Sequence, residues 1–208
     1  MEQRRFGNTD LVCSAIGFGT WEMSTNQYGE IDVSDASRAV HAAIDHGITL
    51  FDTAEVYGPY HSEEILAKAL GNRRKEIVLV TKVGFVYDEE NNNIGRSSRG
   101  RYITKRTEGC LKRLNTDVID LMLIHWPDHH TRFEEPIRAL EALKQAGKIR
   151  HYGVSNFTVA MMEECQQHGS LTANQVGYHL YDRRMEKEVL PYCQASGIGY
   201  MAYGTLGF

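Results

Sequence analysis

No C-x-x-C pair occurs in this sequence: its four cysteines, Cys13, Cys110, Cys165 and Cys193, are widely spaced. That spacing argues against a disulfide framework or a thiolate zinc site and fits reduced, mostly buried thiols in a cytoplasmic protein. No segment approaches the roughly 18 apolar residues that a membrane span needs. No apolar run follows the two arginines of Met1-Glu2-Gln3-Arg4-Arg5, so this is not a signal peptide. Basic stripes are missing as well. The longest basic cluster, Arg96 to Arg106, is interrupted by Ser, Gly, Tyr, Ile and Thr, and the net charge of −4 gives no footprint for nucleic acid. His125, His129 and His130 have no carboxylate-and-histidine set at ligand spacing around them, so no metal is expected.

What the sequence does contain is a rhythm. Seven short apolar runs recur: Ala15 to Phe18, Ile48 to Phe51, Ile77 to Val80, Val118 to Ile124, His151 to Val154, Ala173 to Val176, and Ile198 to Ala202. Most are continuously apolar, as strands buried on both faces of a parallel sheet must be. Six amphipathic segments separate them. Ser34 is read as the cap of the first, which Gly47 stops, and Ser62 as the cap of the second, which Gly71 stops. The third runs from about Thr104 to Leu114. The fourth carries Phe133, Ile137, Leu140 and Leu143. Thr158 opens the fifth, and the sixth lies around Met185 to Ala195.

Seven βα units with no Gly-x-Gly-x-x-Gly fingerprint favour a (β/α)8 barrel over a doubly wound sheet. Glu2 to Ser14, with its Gly7-Asn8 turn, reads as a β-hairpin laid before the barrel. The 208 residues are expected to form one domain, 1–208. A complete barrel takes about 250 residues, so only seven of eight strands are expected, with the last βα elements missing and two strand edges open. Val86 to Tyr102 reads as a long polar loop on the active face, there either to shape substrate access or as a plain surface loop.

In a barrel, strand C-termini and the loops after them form the active face. Four chemically capable residues fall there: Asp52 ends strand two, Tyr57 follows in the next loop, Lys82 ends strand three and His125 ends strand four. Any one alone has a plain structural explanation; four on one face do not. Reducing a carbonyl takes a hydride and a proton. Tyr57 can be the acid, Lys82 can lower the Tyr57 pKa, Asp52 can orient Lys82, and His125 can donate a hydrogen bond to the substrate oxygen. A nicotinamide would bring the hydride. Trp21, Tyr57 and Trp126 can wall an apolar substrate pocket.

At these residues the sequence closely resembles the aldo-keto reductase family. Asp52-Thr53-Ala54-Glu55-Val56-Tyr57-Gly58 matches the segment of the catalytic Asp and Tyr, Thr81-Lys82-Val83-Gly84 that of the catalytic Lys, and Leu123-Ile124-His125-Trp126-Pro127 that of the catalytic His. The resemblance covers essentially the whole chain. Trp126-Pro127-Asp128 and Met201-Ala202-Tyr203 lean towards the bacterial and channel-subunit branches. It implies an NADP(H)-dependent reductase of aldehydes or ketones, with the substrate at Trp21, Tyr57, His125 and Trp126. The implied cofactor contacts are Gly19, Thr20, Trp21, Asp52, Ser155, Asn156 and Gln175, then Tyr203, Gly204, Thr205, Leu206 and Gly207. Gly204 and Thr205 depart from the family's Ser and Pro, so a serine hydroxyl contact is lost there. The partner implied is a small-molecule carbonyl, not nucleic acid or membrane. Two alternatives share the same motifs: a cofactor-binding regulatory subunit resembling potassium-channel β subunits, and an inactive truncated fragment.

Overall fold

The computed structural model describes residues 1–24, 29 and 31–207. An antiparallel hairpin, β1 (Gln3–Arg5) and β2 (Val12–Ser14), comes first. Next are β3 (Gly17–Gly19), helix α1 (Val33–Asp45), β4 (Leu50–Asp52), α2 (His61–Leu70) and β5 (Val78–Val83). A second hairpin, β6 (Phe85–Tyr87) and β7 (Asn93–Arg96), precedes α3 (Gly100–Arg113). The chain continues through β8 (Ile119–Ile124), α4 (Glu134–Gln145), β9 (Ile149–Ser155), α5 (Val159–Gln166), β10 (Ala173–Gly177), α6 (Val189–Ser196) and β11 (Gly199–Tyr203). Strands β3, β4, β5, β8, β9, β10 and β11 lie side by side in that order, all parallel. The result is an α/β fold with seven strands in a curled half-barrel sheet. Among the described residues no helix is long and apolar enough to cross a membrane.

The period-2 alternation of a strand explains both cores and the site above them. Leu50, Val78, Val80, Leu121, Leu123, Ala173 and Met201 form one buried cluster on the concave face. Phe51, Leu79, Val83, Met122, Ile124 and Val154 point the other way, into the larger cluster under the helices. Every residue of β5 and β8 is buried, which accounts for the apolar runs Val78 to Val80 and Leu121 to Ile124 within them. Counting in twos along the concave face gives Leu50 then Asp52, Val80 then Lys82, Leu123 then His125, and Ala173 then Gln175. The site is therefore the top layer of the same face that packs the inner core.

The first hairpin closes the opposite end. Phe6, Leu11 and Cys13 join the concave cluster, and the Asn8 backbone N–H donates to the Gly197 carbonyl at 2.8 Å. Only glycine fits at residue 199, since a Cβ there would lie 2.3 Å from the Phe6 ring. All four cysteines are free and buried.

Several sequence expectations need correction. Asp32, not Ser34, caps α1, its carboxylate accepting from the Ser34 N–H at 2.6 Å. Ser62 lies inside α2 rather than at its cap, and its hydroxyl donates inward to the Thr20 carbonyl at 2.9 Å. Helix α3 starts at Gly100, four residues before the expected start. The expected loop from Val86 to Tyr102 is largely ordered as β6 and β7, tied by the Ser97 N–H to the Gly84 carbonyl at 2.9 Å and by the Tyr102 hydroxyl to the Phe85 carbonyl at 2.6 Å. The sixth helical segment is split into a 3-10 turn at Arg184–Glu186 and α6. Thr158 does cap α5, accepting from the Met161 N–H.

Candidate active site

Asp52, Tyr57, Lys82 and His125 come together at the C-terminal ends of β4, β5 and β8. Lys82 is fully buried, and its ammonium donates to the Asp52 carboxylate at 2.7 Å, the Thr53 carbonyl at 2.9 Å and the Tyr57 hydroxyl at 3.1 Å. An ammonium has three donors, so this one is saturated. Burial alone would favour neutral Lys82, but the Asp52 carboxylate beside it, helped by Tyr57, holds its pKa above the usual value. The Tyr57 oxygen accepts from Lys82, which leaves its own proton to be directed elsewhere. Burial is the larger influence on Tyr57 and pushes its pKa up, while Lys82 pulls it down. The expected lowering by Lys82 is therefore present but outweighed.

His125 follows β8, its N–H donating to the Val83 carbonyl at 2.9 Å. Its ring meets Tyr57 edge-on at 5.9 Å and Phe85 at 5.1 Å. Nδ1 is buried with no partner among the described residues. Burial, with the Lys82 and Arg96 charges, pushes its pKa well below 6.5. The ring is thus a neutral imidazole near pH 7, able to donate one hydrogen bond without bringing a second cation next to Lys82.

A polar chain runs from this cluster to β9, β10 and β11. Gln175 donates to the second Asp52 carboxylate oxygen at 2.9 Å, and Ser155 donates to the Gln175 carbonyl at 2.8 Å. Asn156, in the left-handed region at φ 64°, donates to Ser155 and to the His125 carbonyl, and accepts from the Tyr203 hydroxyl at 2.8 Å. The Thr20 hydroxyl is committed to the Asp52 carbonyl and Ser62, so it braces the site from behind.

Two cavities meet here. One, of about 320 Å³, is lined by Trp21, Tyr57, His125 and Trp126 on one side and by Ser155, Asn156, Gln175 and Tyr203 on the other. The second, about 1020 Å³, runs between the edges β3 and β11 past Gly19, Thr20 and Asp52 and on to Gly204, Thr205, Leu206 and Gly207. Trp21, Tyr57, Gln175 and Tyr203 line both. Every site residue expected from sequence thus borders one cavity or the other, except Lys82, which sits behind Tyr57 and Asp52.

Sequence reasoning missed Phe85, which lines the smaller cavity, and Arg96, which lies over the Phe85 and Trp126 rings. The strand-favouring run Phe85-Val86-Tyr87, followed by the turn residues Asn91-Asn92-Asn93 and Gly95, was half of a hairpin signal. It also missed a buried ionic cluster behind the site. Glu55, with no exposed side-chain surface, accepts from Arg106 at 2.7 Å and from the Gly84 N–H at 3.1 Å. Glu63 accepts from Arg113 at 2.6 Å and from Thr81 at 2.6 Å. These contacts fasten the segment that carries Tyr57 to α3 and to the end of β5.

The model of the aldo/keto reductase family matches residues 15–208, and the chain belongs to this family. It is 38% identical over 206 residues to the methylglyoxal reductase YeaE of Escherichia coli, covering 95% of this chain and 66% of that protein. Among solved structures, the glycerol dehydrogenase AKR11B4 of Gluconobacter oxydans superposes with a TM-score of 0.90 at 39% identity, covering 97% of this chain and 63% of that one. An aldo-keto reductase of Klebsiella pneumoniae in complex with NADPH gives 0.83 at 34% identity, covering 97% and 67%. The chain thus spans about two thirds or slightly less of the length of these relatives.

Proposed function

We propose that the chain reduces aldehyde or ketone carbonyls to alcohols with NADPH, with Tyr57 as general acid. The observation that carries this reading is the Lys82–Tyr57 hydrogen bond beside a cavity that also contains a neutral His125. The joined cavities suit an extended dinucleotide. Ser155, Asn156 and Gln175 offer amide and hydroxyl groups for a carboxamide, Tyr203 offers an aromatic face, and Gly204 to Gly207 offer backbone approach. When bound, NADPH supplies the hydride.

The work of the chain's own residues follows from position. His125 donates a hydrogen bond to the carbonyl oxygen and orients it. Tyr57 gives that oxygen its proton as charge develops. The phenolate left behind lies 3.1 Å from the Lys82 ammonium, which stabilises it, and Asp52 keeps Lys82 charged and in place. Gln175 holds the other Asp52 oxygen, so the carboxylate cannot rotate away. The relatives named as a methylglyoxal reductase and as an NADPH complex support both the reaction class and the cofactor.

The test is NADPH oxidation followed at 340 nm with a panel of small aldehydes, methylglyoxal included. Carbonyl-dependent loss of absorbance is expected. NADPH binding without consumption across the panel would overturn the reductase reading and favour a cofactor-binding role.

A further inference from the structure

The cavity divides into two halves. Ser155, Asn156, Gln175 and Tyr203 form the side assigned above to the cofactor, and Trp21, Tyr57, Phe85, His125 and Trp126 form the side left for substrate. Among the described residues no acidic side chain lines it. Arg96 on β7 is not itself in the cavity wall, but it lies over two rings that are, Trp126 at 4.9 Å and Phe85 at 5.9 Å. Its guanidinium has no carboxylate partner among the described residues, unlike Arg106 and Arg113, which lie within ion-pair distance of buried glutamates. Two aromatic faces therefore hold this arginine while its charge and its planar fork of donors stay uncommitted.

The rings form a path inward, with Phe85 5.1 Å from His125 and His125 5.9 Å from Tyr57. The Arg96 charge reaches the His125 ring, where it adds to burial and Lys82 in disfavouring the imidazolium. The acidic groups felt at Tyr57 are Asp52 and Glu22, and both line the larger groove rather than this cavity. Hairpin β6–β7 is tied at its base by the Gly84 and Phe85 carbonyls, where Arg96 pairs with Phe85 across the two strands.

We propose that the preferred substrates are aldehydes or ketones that also carry a carboxylate, and that Arg96 binds this carboxylate at the cavity mouth while the carbonyl sits between Tyr57 and His125. The inference rests on the reductase reading for the carbonyl end; the anion end stands on Arg96 alone. An arginine fork matches a carboxylate with two parallel hydrogen bonds, which gives orientation as well as attraction.

The probes are 3-formylbenzoate and 3-formylbenzamide, which match in shape and differ in charge. Their affinities are measured by calorimetry on the whole chain in the presence of NADP+, for the natural sequence, Arg96→Met and Arg96→Lys. The benzoate is expected to bind about tenfold more tightly than the amide, a preference typical of one charge-assisted pair. The ratio should fall close to one in Arg96→Met, recover in part in Arg96→Lys, and shrink as salt is raised. A ratio near one in the natural sequence, or a preference that survives Arg96→Met, would overturn the proposal. Turnover of the amide with NADPH is followed in parallel. Its absence counts against the reductase reading, while the binding ratio still decides for or against Arg96.

Discussion

The Lys82 ammonium lies 3.1 Å from the Tyr57 hydroxyl and donates to it. Two further acceptors, Asp52 and the Thr53 carbonyl, take the remaining donors of Lys82, so the ammonium cannot turn to another partner without breaking one of them. Lys82 comes from β5 and Tyr57 from the loop after β4, and the cluster around Glu55 holds those two segments together. The acid of the proposed reaction is thereby placed by strand register on one side and by a buried ion pair on the other.

His125 sets a pH limit on stability. Its folded pKa is held well below 6.5, first by burial and then by Lys82 and Arg96. Below about pH 6.5 the unfolded chain takes up a proton at this site that the folded chain refuses, so stability falls as pH drops, by at most about 1.4 kcal/mol per pH unit from this group. Urea titrations of the natural sequence and of His125→Phe between about pH 7 and pH 5 are expected to diverge, with the natural sequence losing more stability. Parallel curves would contradict the assignment.

Removing Arg106 takes the closer of two guanidinium partners from a buried carboxylate and leaves Arg113 at 3.9 Å. Glu55 keeps its bond to the Gly84 N–H, but the Arg106 charge 2.7 Å away is gone. Arg106→Leu is expected to cost about 3–5 kcal/mol, as breaking one side of a buried pair usually does. Burial already pushes the Glu55 pKa up to about 7, and losing Arg106 raises it further. The loss should therefore be smaller near about pH 5, where the carboxyl is protonated, than near about pH 8. Urea midpoints at the two pH values measure it.

The parts of this fold that were legible in the sequence are those set by local periodicity. Ile119 to Ile124 is a buried strand because it is apolar at every position but Asp120, and Asp52, Lys82 and His125 stand out because each breaks such a run at its end. Motif likeness then supplied Tyr57, Ser155, Asn156 and Gln175. Residues whose roles depend on distant partners were not legible. Ser62 looks like a helix cap, yet its hydroxyl packs against Thr20, 42 residues away. Glu55 looks like part of a motif, yet its partner Arg106 is 51 residues on. The second hairpin was hidden because its β7 strand, Asn93–Arg96, is polar and exposed and carries no apolar pattern.

Gly153 on β9 packs tightly against Ala173 on β10. A Cβ there would lie 2.5 Å from both the Ala173 Cβ and the Ala173 carbonyl oxygen. Backbone must move to admit it, so Gly153→Ala is expected to destabilise by about 1–3 kcal/mol. Because Ser155 ends the same strand and Asn156 follows it, NADPH affinity should weaken as well. Thermal unfolding and a fluorescence titration of the cofactor test the two effects separately, and an unchanged midpoint would contradict the packing argument.

The central claim is that Tyr57 delivers the proton while the rest of the site binds and orients. Tyr57→Phe removes one oxygen and leaves Asp52, Lys82, His125 and the walls of both cavities in place. The most direct measurement is kcat for a small aldehyde together with the Kd for NADPH, in the natural sequence and in Tyr57→Phe. The account predicts a fall in kcat of about 100-fold or more, the range for losing a positioned acid, with cofactor affinity nearly unchanged. Turnover retained in Tyr57→Phe, with NADPH still bound, would contradict it.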